Sequence, residues 1–590
     1  MRKRILAAAL LLLLLVGCGP VVTEPLTEEP AVEGETIAYV PLDDRPDNWE
    51  RVIYLAESLG YQLAMPEPDW FRTRLNDQPL NENGTQYGDR GALLQWVLEQ
   101  EEAGCDRYVL FLDQLLSGGL VNSRAMAGHE AILLPDGSTV SEYEALELLL
   151  ETLSTDEDNV VWLLDSVMRL APTVGYQHWN IEEYNALREY GMAGRPDLTG
   201  DALTLVNLES TYALDKNGEQ LAPADFGLTE AEVEEYLSAR ARKLELADRV
   251  QTMLAQPGYE RFRLLMGIDD SSAEECIQKN EIAFLKSRLR EQDALLSGVD
   301  DLAFKAVAKL YLEEIGWAGA TASVSYYGQM EHEAACAYDF QPLEKIMADH
   351  LAFFGVEAVE EEPELAVLVL TQPADETQME SYSKALVQEL KDCRKQKLPV
   401  ILVDAGNGRY GTAFHELLTK ETELGWLLSY SGFLDMAIVT GTALSHGVAR
   451  YALLENGGQT ESTERAFART LADSVLKDFA FKHIVRPQLL THIRETGGNP
   501  DNFWSPEKGD IEGYTVQMAA AMNNAIRPMV ENLERSNFIS SLEPYAERGW
   551  GGVELANYRF PWDRAFEIAV DIRLGAFTEP HKQHFGVYYQ

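Results

Sequence analysis

The stretch IAYVPLDDRP, from Ile37 to Pro46, predicts the fold of this chain. Its first six residues form an apolar run with β-branched and aromatic members, which is typical of a buried strand. Apolar residues at helical spacing begin at Trp49 and end before Gly60, and a second apolar run, Tyr61 to Met65, follows directly. This pattern predicts a strand–helix–strand unit with two carboxylates and a guanidinium at the end of its first strand.

The same pattern recurs along the chain, where five predicted strands end in aspartate. Strands that alternate with helices are typical of an α/β protein with a mainly parallel sheet. Parallel strands all point one way, so the residues that follow them are expected to converge on one face. About eight strand-like segments favour a barrel-like arrangement over an open doubly wound sheet, and both folds bind ligands at the carboxyl ends of strands.

These strand ends supply the candidate site residues. Carboxylates that lie close together raise one another's pKa, so one can hold a proton while another acts as a base. Nearby arginines can bind an anionic group or keep carboxylates ionised. The predicted catalytic residues are Asp43, Asp44, Asp113, Asp165, Asp269 and Asp270. The predicted substrate-binding residues are Arg45, Gln114, Arg124, Arg169, Asp404 and Asn407.

An aspartate directly after a strand also has a structural explanation. Asp is strongly preferred at helix N-caps, and Asp47 with Glu50 has the spacing of such a cap. For any single acid, a helix cap or a structural ion pair is the simpler interpretation. The convergence of several acids favours catalysis, and the double acids Asp43-Asp44 and Asp269-Asp270 are the strongest candidates.

One later segment resembles a cofactor-binding motif, and another is a weak strand. Gly406 to Gly411 fits the spacing GxGxxG, but a dinucleotide site needs an acid at the end of the next strand. The stretch up to Tyr430 has a helical pattern instead, so a turn on the strand-end face is the better interpretation. Met436 to Val439 is predicted as a weak strand. No cofactor or metal site is assigned, and a divalent cation held by aspartate oxygens is the one that the residues allow.

Residues 1–17 have the organisation of a signal peptide. Arg2 to Arg4 are basic, and the apolar core Leu6 to Val16 is too short to span a bilayer comfortably. The small residues before Cys18 resemble a bacterial lipobox, which implies cleavage, acylation of Cys18 and anchoring of the exported protein to the cell membrane. An uncleaved anchor, or a signal cut elsewhere, is the alternative. Residues 18–35, rich in Pro, Glu and Thr, are predicted as a lipidated tether.

Length and charge set the remaining expectations. A chain of 590 residues suffices for two or three packed units. We expect an α/β domain with the strand-end site in residues 36–450, and a mostly helical region packed on it in residues 451–590. The formal net charge of −47 at pH 7 argues against the basic patches that nucleic acid requires, so no nucleic-acid partner is expected.

Several stretches resemble a bacterial family, the domain of unknown function 4127. They are YVPLDDRP at Tyr39–Pro46, LDQLLSGGLVNSR at Leu112–Arg124, MGIDDSS at Met266–Ser272 and PWDRAFE at Pro561–Glu567. The segment Ser429–Gly447 departs from the family pattern, because Phe433, Leu434 and Asp435 stand where the family usually has Trp-Asn-Thr. The resemblance implies membership but transfers no activity, so the function has to be inferred from the residues.

These features favour a membrane-tethered hydrolase that acts on a carbohydrate through paired carboxylates, like a glycosidase. Export, acidic strand ends and aromatic residues in the loops are the reasons. A glycan- or solute-binding lipoprotein without catalysis is the alternative, and an envelope scaffold is a third. The expected partners are a glycan or small-molecule substrate, and the membrane through the lipid anchor.

The lipobox interpretation is tested by Cys18→Ala. Loss of the acylated thiol should leave the protein unprocessed or released from the membrane, because the lipid is its anchor. Fractionation of cells expressing each form checks this result. If the variant partitions with membranes as the wild type does, the anchor lies elsewhere.

Overall fold

The computed structural model of the protein describes residues 34–334, 337–432, 435–503, 509–536, 538–539, 549–550, 553–574, 577–578 and 588–589. The predicted signal peptide, Cys18 and nearly all of the predicted tether lie outside these residues. None of the helices in the described ranges combines the length and apolar character that crossing a membrane requires.

The first α/β unit contains a six-stranded parallel sheet. Its elements, with a short hairpin formed by the fourth and fifth strands, are β1 (Thr36–Val40), β2 (Gln62–Ala64), β3 (Arg107–Phe111), β4 (Ile132–Leu133), β5 (Thr139–Val140), β6 (Val160–Val167), β7 (Phe262–Ile268) and β8 (Ala294–Ser297). The strand order is β2-β1-β3-β6-β7-β8, and every pairing in this sheet is parallel.

The second α/β unit contains a five-stranded parallel sheet. Its strands are β9 (Ala320–Tyr327), β10 (Val356–Ala358), β11 (Leu365–Thr371), β12 (Val400–Ala405) and β13 (Leu427–Ser431). They lie in the order β10-β9-β11-β12-β13. The second sheet thus repeats the winding of the first.

The predicted α/β class, with parallel strands that alternate with helices, is confirmed. The preference for a barrel-like arrangement needs correction, because the described strands form two open sheets. In each sheet the second strand pairs on one side of the first and the third strand pairs on the other. The winding therefore reverses at the first strand, which creates a topological switch point and leaves two edges.

Helices cover both sheets. Those of the first unit are α1 (Glu50–Ser58), α2 (Arg90–Glu102), α3 (Leu112–Ser117), α4 (Leu120–Ser123), α5 (Glu142–Leu153), α6 (Ile181–Met192), α7 (Leu205–Thr211), α8 (Glu230–Leu254), α9 (Gln278–Lys286) and α10 (Leu302–Glu314). Those of the second unit are α11 (Leu343–Phe353), α12 (Met379–Gln396), α13 (Gly411–Glu421) and α14 (Met436–Asn456). The cap predicted for Asp47 is wrong: α1 has no side-chain cap, and Asp47 accepts a hydrogen bond from Arg51 at 3.3 Å.

Two local predictions are also wrong. The stretch up to Tyr430, predicted as helix, ends in β13. Met436 to Val439, predicted as a weak strand, is the start of α14. Nearly every residue of α14 is buried, so it lacks the polar face that marks an amphipathic helix in a sequence.

The two units share an apolar core. Helix α10 of the first unit packs against α14 of the second, and one cluster of buried side chains includes Leu302 and Val307 together with Leu444 and Val448. Burial of this surface holds the two sheets beside each other. Their carboxyl-terminal edges can therefore form the walls of one site.

The C-terminal region is mostly helical, and an apolar cluster joins it to the second sheet. It contains α15 (Glu461–Ser474), a π-helix (Val475–Val485), α16 (Arg486–Glu495), α17 (Ile511–Ala525) and α18 (Arg527–Arg535). Short strands follow: β14 (Gly549–Trp550), β15 (Val553–Arg559), β16 (Ala569–Leu574), β17 (Phe577–Thr578) and β18 (Tyr588–Tyr589). The segment between β15 and β16 returns to the first unit.

A buried guanidinium joins this region to the first unit. Arg51 of α1 is 1% exposed and donates to the two carboxylate oxygens of Asp478 at 3.2 and 2.9 Å and to Ser474 at 2.7 Å. Asp478 also accepts a hydrogen bond from the backbone N–H of Gly432 at 3.2 Å. These charges compensate one another away from water, so removal of the guanidinium would leave Asp478 with Lys482, 3.6 Å away, as its compensating cation.

Replacement of this cation by Arg51→Met should strongly destabilise the protein. Loss of the hydrogen-bonded partner of a buried carboxylate costs several kcal/mol, which should lower the thermal midpoint by about 5 °C or more. Lys384→Met is the matched control, because Lys384 pairs with Glu380 on the surface and exposed pairs contribute little. Equal thermal midpoints for the two variants in scanning calorimetry would contradict a structural role for Arg51.

Candidate functional site

A cleft of about 530 Å³ lies where the carboxyl-terminal edges of the two sheets meet the C-terminal region. The segments that follow β1, β3, β6, β7 and β8 contribute from the first sheet, and those that follow β9, β12 and β13 contribute from the second. A hollow of about 640 Å³ beside α8 is larger, but its lining residues all fall between 209 and 241 and include no strand end. The cleft is therefore the candidate functional site.

Arginine and aspartate dominate the polar lining of the cleft. The arginines are Arg45, Arg124, Arg169, Arg486 and Arg564. The aspartates are Asp269, Asp270, Asp300, Asp435 and Asp501. Aromatic rings complete the lining, among them Tyr184, Tyr338, Trp562 and Phe566. A few convergent polar groups beside flat apolar surfaces are typical of a small-molecule site.

Two of the predicted catalytic residues line the cleft, and each is paired with a predicted binding residue. Asp269 forms an ion pair with Arg124, and Asp270 forms one with Arg169 at 2.8 Å. The Asp270 side chain is 29% exposed, whereas that of Asp269 is 8% exposed. Burial raises the pKa of Asp270 above its usual value, although the charge of Arg169 opposes the shift. Asp270 is thus the more accessible acid.

A further acid, Asp435, was not among the predicted site residues. It immediately precedes α14 and lines the narrow end of the cleft together with Asp270 and Asp300. Burial, followed by the negative charges of Asp270, Asp339 and Asp300, raises the pKa of Asp435 well above its usual value. This carboxyl group therefore tends to keep its proton.

Asp43 and Asp44 lie behind the cleft and hold two of its lining side chains. Asp43 is fully buried and accepts hydrogen bonds from the Arg45 Nε at 3.0 Å and from Asn48 at 3.1 Å. Asp44 accepts from the Trp562 indole N–H at 2.9 Å. Burial raises the pKa of Asp44 to about 6. These two acids position Arg45 and Trp562.

Asp113 and Asp165 form a separate buried ion cluster. The Lys243 ammonium group lies 2.6 Å from Asp113 and 2.5 Å from Asp165. Burial raises the pKa of Asp165 to about 6, against the opposing charge of Lys243. Neither acid lines the cleft, so the geometry matches the structural ion pair that the sequence left open. Gln114 is also fully buried and does not line the cleft.

On the second sheet, Asp404 and Asn407 have different positions. Asp404 is buried and accepts hydrogen bonds from Tyr430 at 3.0 Å and from His415 at 3.3 Å. Burial acts to raise the pKa of Asp404, but the bond to His415 and the nearby His483 hold it below its usual value. Asn407 lines the cleft, as predicted for a turn on this face, with a left-handed φ of 48°.

The backbone at Trp562 is unusual for a bulky residue. Trp562 and Asp563 have φ values of 56° and 48°, in the left-handed region. Such strain is uncommon outside glycine and clusters at functional sites. Arg45 stacks on the Trp562 ring at 4.8 Å, and the indole N–H is bound to Asp44. These contacts hold the strained residue against the cleft.

In the part of the chain that the structure describes, no group of three or more His, Cys, Asp and Glu side chains is arranged to hold a metal ion. The divalent cation that the acidic residues allow stays a prediction. The acids of the cleft are instead compensated by arginine, as the pairs of Asp269 and Asp270 show.

The fold and the site define an α/β protein with a charged cleft between two parallel sheets. A family model described as protein of unknown function, DUF4127, matches residues 37–571. The chain belongs to this family, so the resemblance inferred from its motifs is confirmed. Comparisons with curated proteins and with solved structures find no match.

The raised pKa of Asp44 gives stability a distinct pH dependence. The pKa of Asp44 is about 6 in the folded protein and about 3.8 in the unfolded chain, so the folded state binds more protons between about pH 4 and 6. The wild type should therefore lose stability as pH rises through this window. Asp44→Asn retains the side-chain oxygen that accepts from Trp562 and Thr73 but cannot ionise.

We therefore expect Asp44→Asn to gain stability relative to the wild type between pH 4 and 7, by up to about 3 kcal/mol for a shift of two pKa units. Thermal midpoints measured across this range check the prediction. The exposed Asp225 provides a control, since Asp225→Asn should follow the wild type at every pH. Parallel curves for Asp44→Asn and the wild type would contradict the assignment.

Proposed function

We propose that this protein is a glycosidase-type hydrolase that acts on a carbohydrate in the cleft. The observation that carries the proposal is the pair of carboxyl groups, Asp270 and Asp435, which line one accessible cleft and differ in how strongly their surroundings favour the protonated form. Burial raises the pKa of Asp270, but its ion pair with Arg169 opposes the shift and favours the ionised form. Desolvation and the neighbouring acids raise the pKa of Asp435 well above its usual value, which favours the protonated form. Such divergence is how two carboxyl groups acquire different roles in acid–base catalysis.

The proposed reaction uses the two groups on one glycosidic bond. Asp435 donates its proton to the glycosidic oxygen as the bond from that oxygen to the anomeric carbon breaks. Asp270, oriented by Arg169, either takes a proton from the attacking water or attacks the anomeric carbon itself. In the second case, water that gives its proton to Asp435 then displaces the Asp270 carboxylate from the anomeric carbon. The leaving saccharide departs as an alcohol, and the water oxygen ends on the anomeric carbon.

The cleft walls suit a polyhydroxylated ligand. Tyr184 and the exposed Tyr338 present rings on which a sugar can stack, and Asn407 and Asp300 supply hydrogen-bonding groups. Within this proposal, the predicted lipid on Cys18 keeps the exported hydrolase at the membrane, where the tether separates the cleft from the bilayer.

A solute-binding lipoprotein is the second candidate. It is favoured by the two parallel sheets whose carboxyl-terminal edges face one cleft, because two-lobed proteins of this kind close around ligands by hinge motion. A binder retains affinity for its ligand without converting it. Turnover therefore separates the two candidates.

The proposal is tested by a screen of purified protein against aryl glycosides and bacterial and host glycans. On any substrate found, Asp435→Asn and Asp270→Asn should each lower kcat by about 100-fold or more, because each removes a group that transfers a proton or attacks. Asp225→Asn, a surface change of the same kind, should retain full activity. Undiminished turnover in either cleft variant contradicts the roles, and tight glycan binding without turnover favours the binder.

A further inference from the structure

Two arginines on the C-terminal side of the cleft have no anionic partner in the described part of the chain. Arg564 makes no hydrogen bond or ion pair there. Arg486 donates through Nε to the carbonyl of Ala565 at 3.0 Å, and its two terminal nitrogens make no such contact. The three remaining cleft arginines are each ion-paired with aspartate. Arg486 and Arg564 are thus a distinct pair.

The side chain of Phe566 joins these two guanidinium groups. Arg564 stacks on the Phe566 ring at 5.1 Å, and Arg486 stacks on it at 5.5 Å. Arg564 also lies 4.8 Å from the centroid of Trp562. Stacking on aromatic rings orients a guanidinium while leaving its N–H groups available. The pair is therefore held at the cleft wall with unused donors.

The electrostatic surroundings favour a negative ligand at this wall. Burial and the positive charge of Arg45 lower the pKa of Arg564 to about 10, and burial also lowers that of Arg486. Glu567 and Asp501 oppose both shifts, but neither forms an ion pair with Arg486 or Arg564. An anion bound here would compensate charge that the described residues leave unpaired.

We infer that Arg486 and Arg564 bind an oxyanion carried by the saccharide: a carboxylate, a sulfate ester or a phosphate ester. The forked donors of arginine match the geometry of these groups. The saccharide part of this inference rests on the proposed function, whereas the anion-binding site formed by Arg486 and Arg564 does not. The substrate class becomes an acidic saccharide, with the anion at the C-terminal wall and the scissile bond near Asp270 and Asp435.

Binding of probe sugars to the full-length protein at constant ionic strength tests the inference without any need for turnover. The probes are glucuronate, glucose 6-sulfate and glucose 6-phosphate, with glucose as the neutral comparison and inorganic sulfate as the free anion. Calorimetry and thermal midpoints are measured for the wild type, Arg564→Gln, Arg564→Lys and Arg486→Gln. Arg494→Gln is the matched control, because Arg494 lies exposed on the same helix as Arg486 and outside the cleft.

At least one anionic sugar should bind the wild type at least about tenfold more tightly than glucose, and each Gln variant should lose about tenfold in affinity. Arg564→Lys should retain part of the higher affinity for the anionic sugar, and Arg494→Gln should retain all of it. If sulfate alone stabilises the protein, and this effect is lost in the Gln variants, the anion-binding site stands but the acidic saccharide is refuted as its ligand. If glucose and every anionic sugar bind equally, or if the affinities are unchanged in the Gln variants, the anion-binding site is refuted. If a variant fails to fold, the comparison of probes on the wild type still decides.

If an anionic sugar binds but none of its glycosides is hydrolysed, the anion-binding site stands and the proposed hydrolase function is refuted. Turnover of neutral glycosides with no preference for anionic ones keeps the proposed hydrolase and rules out an acidic saccharide as its substrate class. The two proposals therefore fail by different observations.

Discussion

The guanidinium group of Arg45 ties two distant parts of the chain to the end of the first strand. It donates to Asp43 beside β1 and to Asp300 beyond β8, at 2.6 Å for its shortest contact with Asp300. It also lies 3.7 Å from Glu567 and stacks on Trp562, both from the C-terminal region. Without this cation, several carboxylates would be left close together and uncompensated. The arrangement of side chains around Arg45 in the cleft, and the packing of the C-terminal segment against the first unit, both depend on this cation.

The acids at the strand ends fall into groups with different surroundings. Asp113 and Asp165 share Lys243 in the interior, and Asp43 and Asp44 hold residues that line the cleft. Asp270 is ion-paired yet accessible. Parallel strands bring such acids to one edge, but the partner of each acid decides whether it faces solvent.

The sequence was sufficient to predict the first strand, the α/β class and the positions of Asp269 and Asp270, because short apolar runs that end in acids are local signals. It could not reveal Lys243, which lies on α8, 78 residues beyond Asp165. Asp435 was missed because it precedes a helix without a polar face. The division into two sheets depends on which side each strand pairs, and this leaves no local pattern.

The role of the C-terminal segment also depends on tertiary structure. PWDRAFE is one of the family motifs, but nothing in its local pattern predicts that Trp562 and Arg564 reach the cleft. Those contacts span more than five hundred residues, as the bond from Trp562 to Asp44 shows, with a sequence separation of 518. Pairing at such a distance follows from packing, which periodicity does not encode.

We propose that the reaction takes place between Asp270 and Asp435, beside Arg486 and Arg564. A crystal structure of the Asp435→Asn protein with an unhydrolysed acidic glycoside tests this proposal most directly. We expect the glycosidic oxygen to lie within hydrogen-bonding distance of the side chain at position 435, with the anion against Arg564. A ligand bound in the hollow beside α8, or in the cleft with its glycosidic oxygen remote from both acids, would contradict it.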